Sequence, residues 1–157
     1  LKEAKIKYGT PDKPFFYLHR EREENFFNDG PKIVCGVRTK SPSFYYTDKP
    51  YYGSRALNFI KTNRTDLKYL TGILNSRISY FWLKNMGKQL GDLLQIDKGP
   101  LLDIPIYIGS REQQKQVVTL VDKILDLNKE LQKAPKNSNK WNSIKEEIEK
   151  TDKKIDK

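Results

Sequence analysis

The chain has 157 residues, 32% of them charged, and a formal net charge of +10. That length holds one domain with a real core, and the excess of Lys and Arg favours a polyanionic partner through counterion release and electrostatic steering. No stretch resembles a secretion signal or is apolar enough to span a bilayer, and a single cysteine, Cys35, excludes an intramolecular disulfide. Within Ile33-Val34-Cys35 it reads as a small buried residue, in keeping with a reducing, cytoplasmic compartment. The chain opens at Leu1 rather than Met and closes in charged helical sequence, as a piece of a larger protein would.

In chain order, Pro-Phe-Phe-Tyr-Leu-His over 14–19 predicts a short aromatic strand. A polar stretch ends in the turn signal Asp29-Gly30-Pro31. Strands are expected over 32–37, 43–47 and 51–62, with Asp48-Lys49-Pro50 turning the chain between the last two. The period then changes: Leu67, Leu70, Leu74, Ile78 and Phe81, widened by Ile73 and Trp82, predict one amphipathic helix, capped by Thr65 or Asp66 and stopped at Gly87. Residues 88–108 return to short β segments, among them a strand in Leu101-Leu102-Asp103-Ile104-Pro105-Ile106 that Pro105 confines to an edge or an end. Ser110 and Gln113 have the spacing of a capping box. Val117, Leu120, Ile124, Leu127 and Leu131 form a seam of coiled-coil type. A break at Pro135 and 136–139 precedes a second seam, Trp141, Ile144, Ile148, Thr151 and Ile155, so the two helices are expected to fold back as an antiparallel hairpin. The predicted class is α+β: a mostly β lobe with one packed amphipathic helix over 1–109, then a helical hairpin over 110–157.

Charge and aromatics are unevenly placed. The first 109 residues carry 18 Lys/Arg against 11 Asp/Glu and every Tyr and Phe, while the remainder carries 12 against 9. No catalytic pattern stands out in either part. There is no Gly-rich phosphate or dinucleotide loop, no paired Cys/His metal spacing, and no Asn-Pro-Pro-Tyr motif of the kind that holds a flipped adenine. His19 is the lone histidine and has no nucleophile partnered with it.

What remains is basic residues interleaved with aromatics and small hydroxyls. Arg38, Lys40 and Ser41 follow a strand; Tyr46, Lys49, Tyr52 and Arg55 come next, and Lys88 follows the helix. Arg and Lys donate to guanine edges or phosphates, and hydroxyls bind phosphate oxygens. One tyrosine of each Tyr-Tyr pair should face inward, because side chains alternate along a strand. Arg20 and Arg22 can also reach DNA, although Glu21, Glu23 and Glu24 beside them would be repelled by phosphate.

These features have a familiar order. Gly30-Pro31-Lys32-Ile33-Val34, Tyr69-Leu70-Thr71-Gly72-Ile73-Leu74-Asn75-Ser76, Leu101-Leu102-Asp103-Ile104-Pro105-Ile106, and Gln113-Gln114 followed by Leu120-Val121-Asp122-Lys123-Ile124-Leu125 resemble, in sequence and spacing, the target-recognition domain of TaqI-like adenine DNA methyltransferases. The same domain occurs in fused restriction-modification enzymes and is similar to type I restriction specificity subunits, so the resemblance leaves three parents open: a lone methyltransferase, a fused restriction enzyme or a type I specificity subunit. The resemblance runs over about residues 14–157. It implies double-stranded DNA as partner and a separate catalytic domain that binds S-adenosylmethionine and flips the target adenine out of the stack, with no catalytic residue or cofactor in this chain. Alternatives of other classes are a helical protein-interaction module with incidental basic charge, and a nuclease with an unrecognised site.

Overall fold

The structure, a computed structural model, describes residues 23–41 and 43–156. Arg20, Arg22, His19 and the strand expected over 14–19 lie outside the described residues. The described chain groups into two compact units, one of residues 23–30 with Lys49–Tyr52 and one of Pro31–Asp48 with residues 53–156.

The first unit is a short helix, α1 (Glu24–Asn28), zipped to a loop. Phe27 is buried, meets Phe26 edge-on at 5.4 Å and stacks on Tyr52 at 5.5 Å. The Tyr51 amide donates to the Phe27 carbonyl at 3.3 Å, and the Tyr52 hydroxyl donates to Asn28 Oδ1.

The second unit holds two small antiparallel sheets. The first has β1 (Lys32–Gly36) between β3 (Phe44–Thr47) and β4 (Leu57–Ile60). β1 is the central strand and its first four residues are buried, which is why its sequence is a near-continuous apolar run. Val34 lies opposite Tyr45 on one side and Phe59 on the other; Cys35 lies opposite Phe44 and Asn58. The strand expected over 51–62 is shortened to β4. Tyr51 and Tyr52 belong to the first unit, and a turn in which the Leu57 amide donates to the Ser54 carbonyl at 3.2 Å intervenes. The second sheet joins β2 (Arg38–Thr39), β5 (Lys88–Leu90) and β6 (Leu93–Gln95) in the order β2-β6-β5. β5 and β6 form a hairpin whose two-residue loop is Gly91-Asp92. Gly91 at φ +59° supplies the positive dihedral of a type II′ turn.

The single helix expected from Leu67 to Gly87 is two helices, α2 (Leu67–Asn75) and α3 (Arg77–Met86), broken at Ser76. Two side chains make the break. The Asn75 amide pairs with the backbone of Phe44 like a missing strand, accepting from its N–H at 2.9 Å and donating to its carbonyl at 2.8 Å. Ser76, in extended conformation, donates to the Ile73 carbonyl at 2.7 Å and accepts from the Ser79 amide, ending one helix and capping the next. The break rephases the buried face. Ser79 and Leu83 turn inward, while Ile78 and Phe81, expected in the core, are 72% and 68% exposed. Asp66 is the N-cap of α2, accepting from Lys68 N at 2.7 Å and Tyr69 N at 3.0 Å, and Gly87 ends α3.

The strand expected over 101–106 is absent. Lys98–Leu102 forms α4, with Pro100 in the first turn where its missing donor has no helical partner to satisfy. Ile104 and Ile106 still enter the core as irregular chain, and Pro105 between them has no N–H for a ladder. That core gathers Ile33, Cys35, Phe44, Leu67, Leu70, Leu74, Leu83 and Ile96 around α2.

The helical hairpin is as expected. α5 (Arg111–Lys133) begins in a capping box formed by Ser110 and Gln113, and α6 (Asn139–Ile155) is capped by Ser138. The start of α5 and the end of α6 meet the same residue of α2: a Cβ on Gly72 would lie 2.7 Å from Val117, 3.2 Å from Val121 and 3.7 Å from Ile155. The two helices are therefore antiparallel, tied by the Lys123–Glu147 ion pair across them. Thr151 fills a buried seam position, its hydroxyl satisfied by the Glu147 carbonyl at 2.7 Å. The hairpin shares one compact unit with the sheets.

Candidate nucleic-acid interface

Four of the basic residues singled out by sequence lie along one strip of backbone. The Val37 amide donates to the Ala56 carbonyl at 2.8 Å, and the Val37 carbonyl accepts from the Ile96 amide at 2.7 Å. This places the Arg55 loop, the Arg38–Lys40 segment and β6 side by side. The register of the second sheet adds Lys88, because Gln95 lies directly opposite Arg38 on one side and Lys88 on the other. Directly opposed residues share a face of a sheet, so Arg38, Gln95 and Lys88 form one row. Arg38 and Lys88 are exposed and Gln95 is half-buried. The opposite face carries Leu94, which is buried. Asp97 lies beside the row, accepting from Gln95 Nε2 at 2.8 Å and standing 4.0 Å from Lys88 Nζ.

The other candidates fall elsewhere. Lys49 and Tyr52 are exposed residues of the first unit, and the Tyr52 hydroxyl and ring are engaged with Asn28 and Phe27. Of the Tyr45-Tyr46 pair, Tyr45 is 51% exposed whereas Tyr46 packs against the core. Lys68 sits 5.5 Å from the Tyr46 ring centre and pairs with Asp122 of α5 at 2.6 Å. Burial raises the Tyr46 phenol above its usual range, opposed by the Lys68 charge. Ser41 is exposed at a groove it shares with Arg77, Tyr80, Asp152, Lys153 and Asp156. Arg77 is held there by Asp156, backbone amide to Oδ1 at 2.8 Å and Nε to Oδ2 at 3.1 Å. Burial and the neighbouring Asp156 charge raise the Asp152 carboxyl. With Glu149 the groove holds three carboxylates against two cations, a poor receptor for phosphate.

The strand-borne row, the rephased helix pair α2–α3 and the Ile104-Pro105-Ile106 segment all fall within residues 3–106, which match the family model of the TaqI-like C-terminal specificity domain. The chain belongs to this family. No curated protein matches it. As a TaqI-like specificity domain it is a DNA-binding module, and the helical hairpin lies beyond the matched span. Among the described residues no group of three His, Cys, Asp or Glu is arranged to hold a metal, and no helix is long and apolar enough to cross a membrane.

Sequence reasoning missed Gln95 and Asp97 in this specificity domain. No run of basic residues surrounds them; they join the row only through the pairing of the β5–β6 hairpin with β2, which begins 50 residues before β5. The alternation Leu94-Gln95-Ile96, with both flanking residues buried, is the one local sign that Gln95 faces outward.

Proposed function

We propose that this chain reads and grips double-stranded DNA for a catalytic domain outside it, in a site-specific adenine methyltransferase or a fused restriction-modification enzyme. Catalysis and S-adenosylmethionine binding belong to that other domain. Residues 1–109 form the recognition part, and the hairpin over 110–157 is a spacer or docking arm. The observation that carries the reading is the alignment of Arg38, Lys40, Arg55 and Lys88 along one hydrogen-bonded strip within a specificity domain. Exposed cations on a rigid sheet bind phosphates with little ordering cost, and residues between them can address bases.

The test is DNA binding by the full-length protein across a salt series. Each phosphate contact contributes about −0.9 to the slope of log K against log salt. The Arg38→Ala/Lys40→Ala double variant should bind more weakly and flatten that slope by about 2, with S-adenosylmethionine binding of the full protein unchanged. Binding that is absent at low salt, or indifferent to salt, overturns the reading and leaves the hairpin as a protein-interaction module.

A further inference from the structure

Gln95 has the chemistry and the setting of a base reader. Its amide offers a donor and an acceptor side by side, the pattern that pairs with N7 and N6 of adenine in the major groove, and it stands between two long cationic side chains that match the acceptors of guanine. Strands in a sheet are about 4.8 Å apart, so the row from Arg38 through Gln95 to Lys88 spans roughly 10 Å, close to the width of the major groove. The row is also rigid. Behind it, Leu94 and Ile96 are buried, the Ile96 amide is bonded to Val37, and the Ile96 carbonyl accepts from Asn58 Nδ2 at 2.8 Å. Asp97 holds one N–H of the Gln95 amide at 2.8 Å, which orients the group and leaves its second N–H and its carbonyl for a ligand. A carboxylate that faced DNA would be repelled; here it is turned along the row onto Gln95 and Lys88.

We infer that the row Arg38–Gln95–Lys88 is a base-reading surface for the major groove, with Gln95 selecting adenine at one base pair and Asp97 acting as its positioning residue. The inference rests on the DNA-recognition reading above. Arg38 and Lys88 supply charge besides any guanine contact, whereas Gln95 carries no charge and adds discrimination alone.

The experiment is selection of DNA from a random pool by the full-length protein, followed by sequencing of what is retained. Gln95→Ala should erase the preference for adenine at one position, by roughly 5- to 150-fold, the discrimination of one bidentate pair. The slope of binding against salt, set by charges the substitution leaves in place, should persist. The isosteric Gln95→Glu should move that position from adenine toward cytosine, whose N4 amine donates to a carboxylate; a misfolded protein cannot produce such a gain. Variants that select the same sequence as the wild type overturn the inference and leave the recognition reading standing, as does an equal loss of preference at every position. A wild-type protein that selects no sequence overturns both.

Discussion

Cys35 lies within the central strand β1, opposite Phe44 and Asn58 and 2% exposed. Burial pushes its thiol up to about 11, against an ordinary value of 9.0, with the Asn58 side chain opposing. A group whose pKa is higher when folded adds stability that is complete below the unfolded value and is lost as pH climbs toward the folded one. Unfolding free energy should therefore fall between about pH 9 and 11 in wild type more than in Cys35→Ala, read by urea melts across that range. The native thiol should resist iodoacetamide at pH 8 and react once urea opens the sheet, because the thiolate is the nucleophile. Rapid native alkylation would mean that β1 is not held as described. Tyr69, buried in α2, donates to the Tyr107 carbonyl at 2.6 Å and accepts from the Gly109 amide at 3.3 Å, fixing the segment that leads into α5.

At the scale of elements the decisive joint is α2 against the hairpin. Gly72 is buried, and a methyl group there would press on Val117 and Val121, both stiff β-branched residues. Gly72→Ala should lower stability by about 1–3 kcal/mol through overpacking, despite the better helix propensity of alanine. Val117→Ala in the same background should recover part of that loss, which a double-mutant cycle by thermal or urea denaturation measures. Additive effects would show that the two helices do not meet at this point. The α2–α3 break is the other instructive element. Apolar spacing from Leu67 to Phe81 supports one continuous helix, and no residue in it forbids one. The break follows from what Asn75 and Ser76 bond to, and Asn75 finds its partner in Phe44, 31 residues upstream.

For the whole molecule, the hairpin is part of the unit that contains the sheets rather than an appendage to it. A chain ending at Gly109 should lose the cover over Gly72 and the Lys68–Asp122 ion pair. Such a chain should melt well below the 157-residue chain and bind a hydrophobic dye; an unchanged melting curve would show that residues 3–106 suffice alone. The sequence by itself determined what depends on neighbours in the chain: the buried run of β1, the start of α2 at Thr65 or Asp66, the capping box of Ser110 and Gln113, the two helical seams, and the ordered motifs that mark the specificity domain. Only the tertiary structure decided what depends on distant partners. Leu101 joined a helix and Ile104 an irregular segment, each still packed on the core whatever its backbone, while Leu102 on the same helix faces outward, 71% exposed. Tyr46 rather than Tyr45 packs against the core, since strand register chose the face. Arg38, legible as a basic residue after a strand, gained its setting from Gln95 and Lys88 across the sheet, a row that pairing assembles and local sequence does not encode.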